Sequence, residues 1–364
     1  MSNLMRPCFP EWFLASVFAL SACTHMPGIV KDVNWDNDGN LVLRKCDSKH
    51  DWVVYFLVWH ETNCREEKKN AKLLLAKLGS PPSRQPLGGA PLSVLASDVD
   101  VVPAIPTSKQ HAHAIVIGIE EYQQKLPKAD YAMHDAEIMG QYLTKTLGYK
   151  EENVVVLLNE RATKTSMEKY VEVWLLDRVE KDDSVFIYFS GHGAPNPKTG
   201  KAFLVPYDGD PAFVEQTGYP LERLYERLST LPAKEVVVML DSCFSGAGGR
   251  SVIAKGMRPM VLSVENPLLT KGRTMVLTAG AGDQVSSTYD QKSHGLLTYF
   301  FFKGLQGEAD QNNDKRIELR ELFEYLKPQV ERIARREFHN EQTPQLIGSP
   351  DTLSKGVVLI EGNK

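Results

Sequence analysis

The sequence predicts an α/β protein: a mainly parallel, six-stranded sheet flanked by helices on both faces, three layers in all. Two observations carry this. Short β-branched runs ("HAIVIGI", "NVVVLLN", "SVFIYFS", "EVVVMLD", "RTMVLTA") alternate with helical patterns from His111 onward. Each run is almost continuously apolar, as strands covered on both faces are. A third observation, "GVVLI" at Gly356 to Ile360, supplies a sixth strand at an edge. Helices are expected at Ala129 to Leu147, Ser166 to Val179 and Leu221 to Leu231, each between two strands. No internal repeat is present.

This domain spans residues 111–364, and three shorter stretches precede it. The chain has 364 residues, 42% hydrophobic and 24% charged, enough for an ordinary core and more than one structural unit. Its net charge is -4 with Lys and Arg scattered among acids, which argues against nucleic acid as a partner. In residues 1–22, the apolar run from Trp12 to Leu20 is too short to span a bilayer but suits a secretory signal. "LSAC" resembles the bacterial lipobox, which implies lipidation at Cys23 and anchorage by acyl chains. Thr24 follows instead of an acid, so that resemblance implies the outer membrane of a bacterial cell envelope, facing the periplasm. A buried N-terminal helix is the other reading.

Residues 23–78 form a small region with strand signals ("LVLRKC", "WVVYFLVWH") and a Lys/Glu-rich helical tail ("REEKKNAKLLLAKL"). Cys46 and Cys64 either close a hairpin there or remain two thiols. The stretch 79–110 is rich in Pro, Gly and Ser and reads as a linker.

In open α/β sheets, ligands meet the carboxyl ends of strands. "SGHG" ends the third strand and "DSCFSG" the fourth, which brings His192 and Cys243 to neighbouring strand ends. A histidine raises the thiolate fraction of a cysteine, and the thiolate attacks an acyl carbon. Gly191 and Gly193 permit a sharp turn, and the amides of Gly193 and Cys243 suit an oxyanion hole. No Asp or Asn third member is evident, which leaves a backbone carbonyl to orient the histidine. Alone, "GHG" would be a turn and the cysteine a small hydrophobe. Together they point to catalysis.

The two boxes lie 51 residues apart (243 minus 192) and resemble the His and Cys boxes of caspase-like cysteine peptidases, closest to bacterial metacaspase-type members. The likeness continues through "HAIVIGIEEY", "HDAEIMGQYL", "FLVPYD", "GDQVSS" and "HGLLTYFFFKGLQGEAD", over roughly His111 to Leu326. It implies a caspase-like fold and a cysteine endopeptidase working through an acyl-enzyme. His192 would be general base and acid, and Cys243 the nucleophile. True caspases carry Gln-Ala before the cysteine, where Asp241-Ser242 stands here. By the metacaspase likeness Asp241 lines the primary specificity pocket and favours Arg or Lys in peptide or protein substrates. Ser190 would line the same pocket, and Glu222 of "YPLERL" would stand for a second acid. A helix N-cap is a second role open to Asp241.

The connection from Gly246 to Arg273 carries Arg250, Lys255 and Arg258, suited to self-processing or simply to a solvated loop. "DQNNDKRIELRE" places Asp310, Asn312, Asp314 and Glu321 at calcium-loop spacing, with Lys315 where a glycine belongs. An acidic turn capping the next helix explains the same pattern. The dyad requires no cofactor, and calcium is the one candidate. No Cys and His spacing resembles a zinc site, and His111 and His113 flank the first strand without a partner nearby in sequence. The alternative function is an inactive or regulatory binding protein of the envelope on the same fold.

Overall fold

The computed structural model describes residues 25–35, 41–53, 56–69, 97–105, 108–196, 198–244, 269, 272–281 and 284–361. The signal segment, Cys23, and Arg250, Lys255 and Arg258 lie outside the described residues. Among those described, no helix is long and apolar enough to cross a membrane. The chain divides into two units, Met1–Leu92 and Ser93–Lys364.

The first unit is an antiparallel sheet of β1 (His25–Trp35), β2 (Leu41–Val53) and β3 (Phe56–Lys69). The expected helical tail is corrected over Arg65 to Lys69, which continue β3 opposite Leu41 to Lys45. The ladder offered by β2 outweighs the modest helix preference of this Lys/Glu run. Cys46 and Cys64 fall at one register irregularity, between the pairs Lys45↔Arg65 and Asp47↔Thr62.

In the second unit the central strands are β4 (Ala112–Gly118), β5 (Val154–Leu158) and β6 (Ser184–Ser190). A small sheet follows, of β7 (Gly193–Pro195), β8 (Ala202–Leu204) and β9 (Tyr219–Pro220). The central sheet resumes with β10 (Glu235–Asp241) and β11 (Thr274–Thr278). After the pair β12 (Thr288–Tyr289) and β13 (His294–Gly295) come β14 (Arg316–Glu318), β15 (Gln345–Ile347) and β16 (Val358–Glu361). The helices are α1 (Ala132–Gln141), α2 (Lys164–Lys169), α3 (Leu175–Arg178), α4 (Val214–Thr217), α5 (Leu221–Thr230), α6 (Leu296–Lys303), α7 (Leu319–Glu337) and α8 (Pro350–Lys355).

The six-stranded sheet runs β15-β11-β10-β6-β4-β5, parallel except for β15. Its sixth strand differs from expectation. "QLI" takes the edge beside β11, whereas "GVVLI" pairs with Arg316–Glu318 away from the central sheet. Three residues are too few to show a strand period, so β15 gave no signal in the sequence.

Alternation along each strand builds two cores. Ala112, Ala114 and Val116 of β4, Phe186 and Tyr188 of β6, and Val237 and Met239 of β10 face the layer of α1, α6 and α7. Ile115, Ile117, Val185, Ile187, Phe189, Val236, Val238 and Leu240 face the layer of α2, α3 and α5. The first layer is aromatic: Tyr142 and Phe302, both fully buried, stack with centroids 4.5 Å apart. Truncating such a ring costs about 3–5 kcal/mol.

This unit begins before the expected boundary at His111. Val99 is fully buried and its carbonyl accepts from the Tyr142 hydroxyl at 2.8 Å. Thr146 Oγ1 donates to Pro103 O at 2.6 Å, and Ile105 N to Lys145 O at 3.0 Å. Val99 of "DVDVVPAI" is therefore core, with Val102 and Ile105 packed against it and Val101 left exposed, although the composition of the stretch reads as linker.

His111 and His113 do find a partner, 70 residues beyond His113: both contact Asp183, at 3.3 and 3.2 Å. Burial outweighs the attraction of Asp183 and holds His113 below the usual histidine range, while Arg178 lowers it and Glu180 raises it further. Above about pH 6.5 the ring is neutral in both states; as pH falls below that value the unfolded chain takes up a proton that the folded one refuses. Stability should therefore fall with pH below about 6.5, and His113→Gln should flatten that slope when urea midpoints at pH 7 and 5.5 are compared. An unchanged slope would assign the pH dependence elsewhere.

Candidate active site

The parallel register of β6 and β10 pairs Ser190 with Asp241. His192 and Cys243 each lie two residues beyond this pair, on adjacent strand ends. The two turns are tied together, since Ser242 Oγ donates to Gly191 O at 2.8 Å. Gly193 lies against the Cys243 backbone: a Cβ there would sit 2.5 Å from Cys243 O and 2.6 Å from Phe244 Cδ1. Only glycine fits that approach. Both side chains are covered, His192 fully and Cys243 to within 2%.

The loop after β4 orients the histidine. It is closed by Ala129 N to Glu120 O at 3.0 Å and pinned by Gln123 N to Tyr207 O at 2.9 Å and Glu120 N to Asn159 Oδ1 at 2.9 Å. Burial raises the Glu120 carboxyl above its ordinary range, against the pull of Lys128. From this loop Pro127 O lies 2.7 Å from His192 Nε2. A carbonyl only accepts, so Nε2 carries the proton and Nδ1 is the basic nitrogen of the neutral ring. The backbone carbonyl anticipated as third member is thus Pro127 O. Beneath it, the Tyr122 oxygen accepts from His192 N at 2.6 Å and the Tyr122 ring stacks on the imidazole at 4.8 Å. Tyr122→Phe keeps the stack and removes that acceptor; we expect about 1–2 kcal/mol lower stability and a several-fold lower kcat with unchanged KM. An unaltered kcat would show that the hydroxyl does not set the ring.

Ser286 meets Cys243 through two of its backbone atoms. Ser286 N donates to Cys243 Sγ, and the thiol faces Ser286 O at 3.8 Å. An amide aimed at sulfur stabilises negative charge there. Ser286 Oγ also donates to Asp241 Oδ1 at 2.6 Å, so one serine joins Cys243 to Asp241. Asp241 Oδ2 accepts from Thr298 Oγ1 at 2.7 Å and Thr298 N at 3.3 Å, and Thr298 Oγ1 meets the Tyr188 hydroxyl at 2.8 Å. Asp241 is fully buried. It does cap a helix, but across the fold: the amide belongs to the first turn of α6.

Ser190 is buried beside Asp241 in register. Glu222 is not: it begins α5 in an exposed pair with Lys201, 2.6 Å away. The second buried carboxylate at the start of α6 is Asp135, which accepts from Gly295 N at 3.0 Å and lies 2.7 Å from His294 Nδ1. Burial opposes a proton on His294, yet Asp135 and Asp100 raise it above the usual histidine range. Tyr122, Pro127, Ser286, Thr298 and Asp135 were not singled out from sequence. They sit in "IEEYQQKLP", "GDQVSS", "HGLLT" and "HDAE", but no spacing rule joins those stretches.

In the loop from Asp310, the side chains bind the loop's own amides. Asp310 takes Asp314 N and Lys315 N at 3.1 and 3.0 Å, Asn312 takes Asp314 N at 2.8 Å, and Asp314 takes Arg316 N at 2.8 Å. Lys315 adopts φ +62°, the turn for which a glycine was expected. Glu321 lies in the first turn of α7. A cavity of about 1170 Å³ lies at the amino ends of the strands, between Lys109, Lys234, Glu235 and Arg273, away from His192 and Cys243. A smaller one, about 240 Å³, opens beside Ser286, between Lys128, Asp130, Asp290 and Phe338.

The family profile described as "Caspase domain" matches residues 111–353. Metacaspase-1A of Aspergillus oryzae is 27% identical over 144 residues, which cover 37% of this chain and 34% of that protein. Metacaspase-1 of Emericella nidulans is 26% identical, covering 37% and 35%. The chain thus spans about a third of the length of these relatives. A Geobacter sulfurreducens protein of solved structure superposes with TM-score 0.50 at 15% identity, covering 69% of this chain and 97% of that one. The Drosophila initiator caspase Dronc gives TM-score 0.43 at 12% identity, covering 73% and 92%. With a profile match over the whole sheet and both boxes, the chain belongs to the caspase-domain family of cysteine peptidases.

Proposed function

We propose that the protein is a cysteine endopeptidase that cleaves protein or peptide substrates after Arg or Lys. The observation that supports it most is the commitment of His192 Nε2 to Pro127 O beside a thiol carried on the neighbouring strand end. His192 Nδ1 takes the thiol proton, and Sγ attacks the scissile carbonyl carbon. The amides of Gly193 and Cys243 receive the oxyanion, and the tetrahedral species collapses as His192 returns the proton to the leaving amine. Water, deprotonated by the same ring, then frees the acid and restores the thiol. Asp241 is the counter-charge for a basic side chain, whose guanidinium or ammonium would replace the hydroxyl donors of Ser286 and Thr298. The substrate would approach through the cavity beside Ser286.

One observation favours a second reading, a binding protein that leaves the site unused: His192 and Cys243 are covered. Fluorogenic peptides ending in Arg, Lys, Asp or Leu separate the two, assayed with calcium and with chelator because the loop from Asp310 keeps calcium-loop spacing. Turnover of the Arg and Lys peptides alone is expected. No turnover in either condition, with no covalent labelling of Cys243 by a thiol-reactive peptide, would sink the peptidase reading.

A further inference from the structure

Outside the dyad, two histidines and a carboxylate converge. His134 stands in the first turn of α1, His294 in β13, and Asp100 in the short turn Asp98–Asp100. Nε2 of His134 and Nε2 of His294 approach the same oxygen, Asp100 Oδ1, at 3.0 and 3.1 Å, and the two rings stack at 4.9 Å. The three donor atoms lie within 4.8 Å of one another. Among the described residues this is the one such group of His, Cys, Asp and Glu.

We propose that Asp100, His134 and His294 bind a divalent transition-metal ion of the zinc type. Two imidazole nitrogens and one carboxylate oxygen form a donor set for zinc, held at about 2.0–2.2 Å; a tetrahedral ion at that reach keeps its donors roughly 3.3 Å apart. The two N···O separations already match that edge, so binding needs the two Nε2 atoms to close, not a rearranged backbone. A second observation points the same way. Metal-binding imidazoles commonly give their other ring N–H to a carboxylate, which fixes tautomer and aim. His294 Nδ1 does this with Asp135, itself fully buried and anchored by Gly295 N. The path in is open on one side, since the His134 side chain is 35% exposed, Asp100 15% and His294 fully buried. Three protein ligands leave a fourth position on that side for water or a substrate group.

The position gives the ion a structural consequence. It joins the Ser97–Asp100 segment, α1 and β13; β13 pairs with β12 and continues into α6, whose Thr298 holds Asp241. Leu296 N donates to Ser287 O at 2.9 Å, next to the serine that holds Cys243. A bound ion would therefore stiffen the support of both nucleophile and pocket acid from behind.

The test uses the full chain, tag removed, in a Cys243→Ala background so that the dyad cannot contribute a thiolate ligand. Titration with zinc chloride, and with cobalt(II) for its visible bands, is expected to show one saturable tetrahedral site that raises the thermal midpoint. His134→Gln keeps a hydrogen bond to Asp100 but cannot supply the aromatic nitrogen; affinity should fall at least 100-fold with the metal-free midpoint unchanged. Asp135→Asn should weaken binding about 10–100-fold. If the site fails to appear, or if its affinity survives His134→Gln, the assignment is wrong. Retention of binding on mutation here with loss on Asp310→Ala would place the ion on the other loop instead. None of these outcomes depends on peptidase turnover.

Discussion

Cys243→Ala is expected to abolish hydrolysis of Arg- and Lys-terminated peptides, by about 10⁴-fold or more, while the protein stays folded. The substitution removes one buried sulfur atom, which meets Ser286 N and Ser286 O, and leaves a small side chain in its place, so the thermal midpoint should move by only a few degrees. His192→Ala should cost about as much, and the double variant little more than either single one, because base and nucleophile act as a unit. Steady-state kinetics with a burst-phase acyl-enzyme assay checks this. Residual turnover above about 1% in Cys243→Ala would assign the nucleophile elsewhere.

Asp241→Asn should separate specificity from support. The amide is nearly isosteric, and the hydroxyls of Ser286 and Thr298 can rotate to serve it, so the hydrogen-bonded hub should survive. What disappears is the negative charge. Unpairing a buried ion pair costs about 2–5 kcal/mol, so kcat/KM for Arg peptides should drop roughly 10²–10³-fold, while peptides with a neutral residue there should not suffer. A uniform loss for all peptides, accompanied by a lower thermal midpoint, would mean that Asp241 only ties α6 to the sheet.

Much of the architecture was legible because strands buried on both faces announce themselves as β-branched runs. All five strong runs are central strands, and the two functional boxes end two of them as read. The same period-two parity places Ser190 and Asp241 on the face shared with Tyr188 and Met239, toward α6. Short pieces escaped. "QLI" was too brief to carry a period, and "GVVLI" had strand character but nothing in it to name its partner. The Pro/Gly/Ser content around "DVDVVPAI" masked residues that are core. Glu222 was matched on local likeness, and its carboxylate pairs with Lys201 at the exposed start of α5.

Residue types and their order along the chain determined the sheet and the placing of His192, Cys243 and Asp241 at neighbouring strand ends, because each is a local pattern of one strand and its turn. The supports of those residues were decided only by tertiary structure. Pro127 O on His192, Ser286 between Cys243 and Asp241, and Asp100 with His134 and His294 are meetings of segments 34 to 194 residues apart. A hydrogen bond is specified within a few tenths of an ångström, and only a packed core brings such distant stretches of chain together with that accuracy.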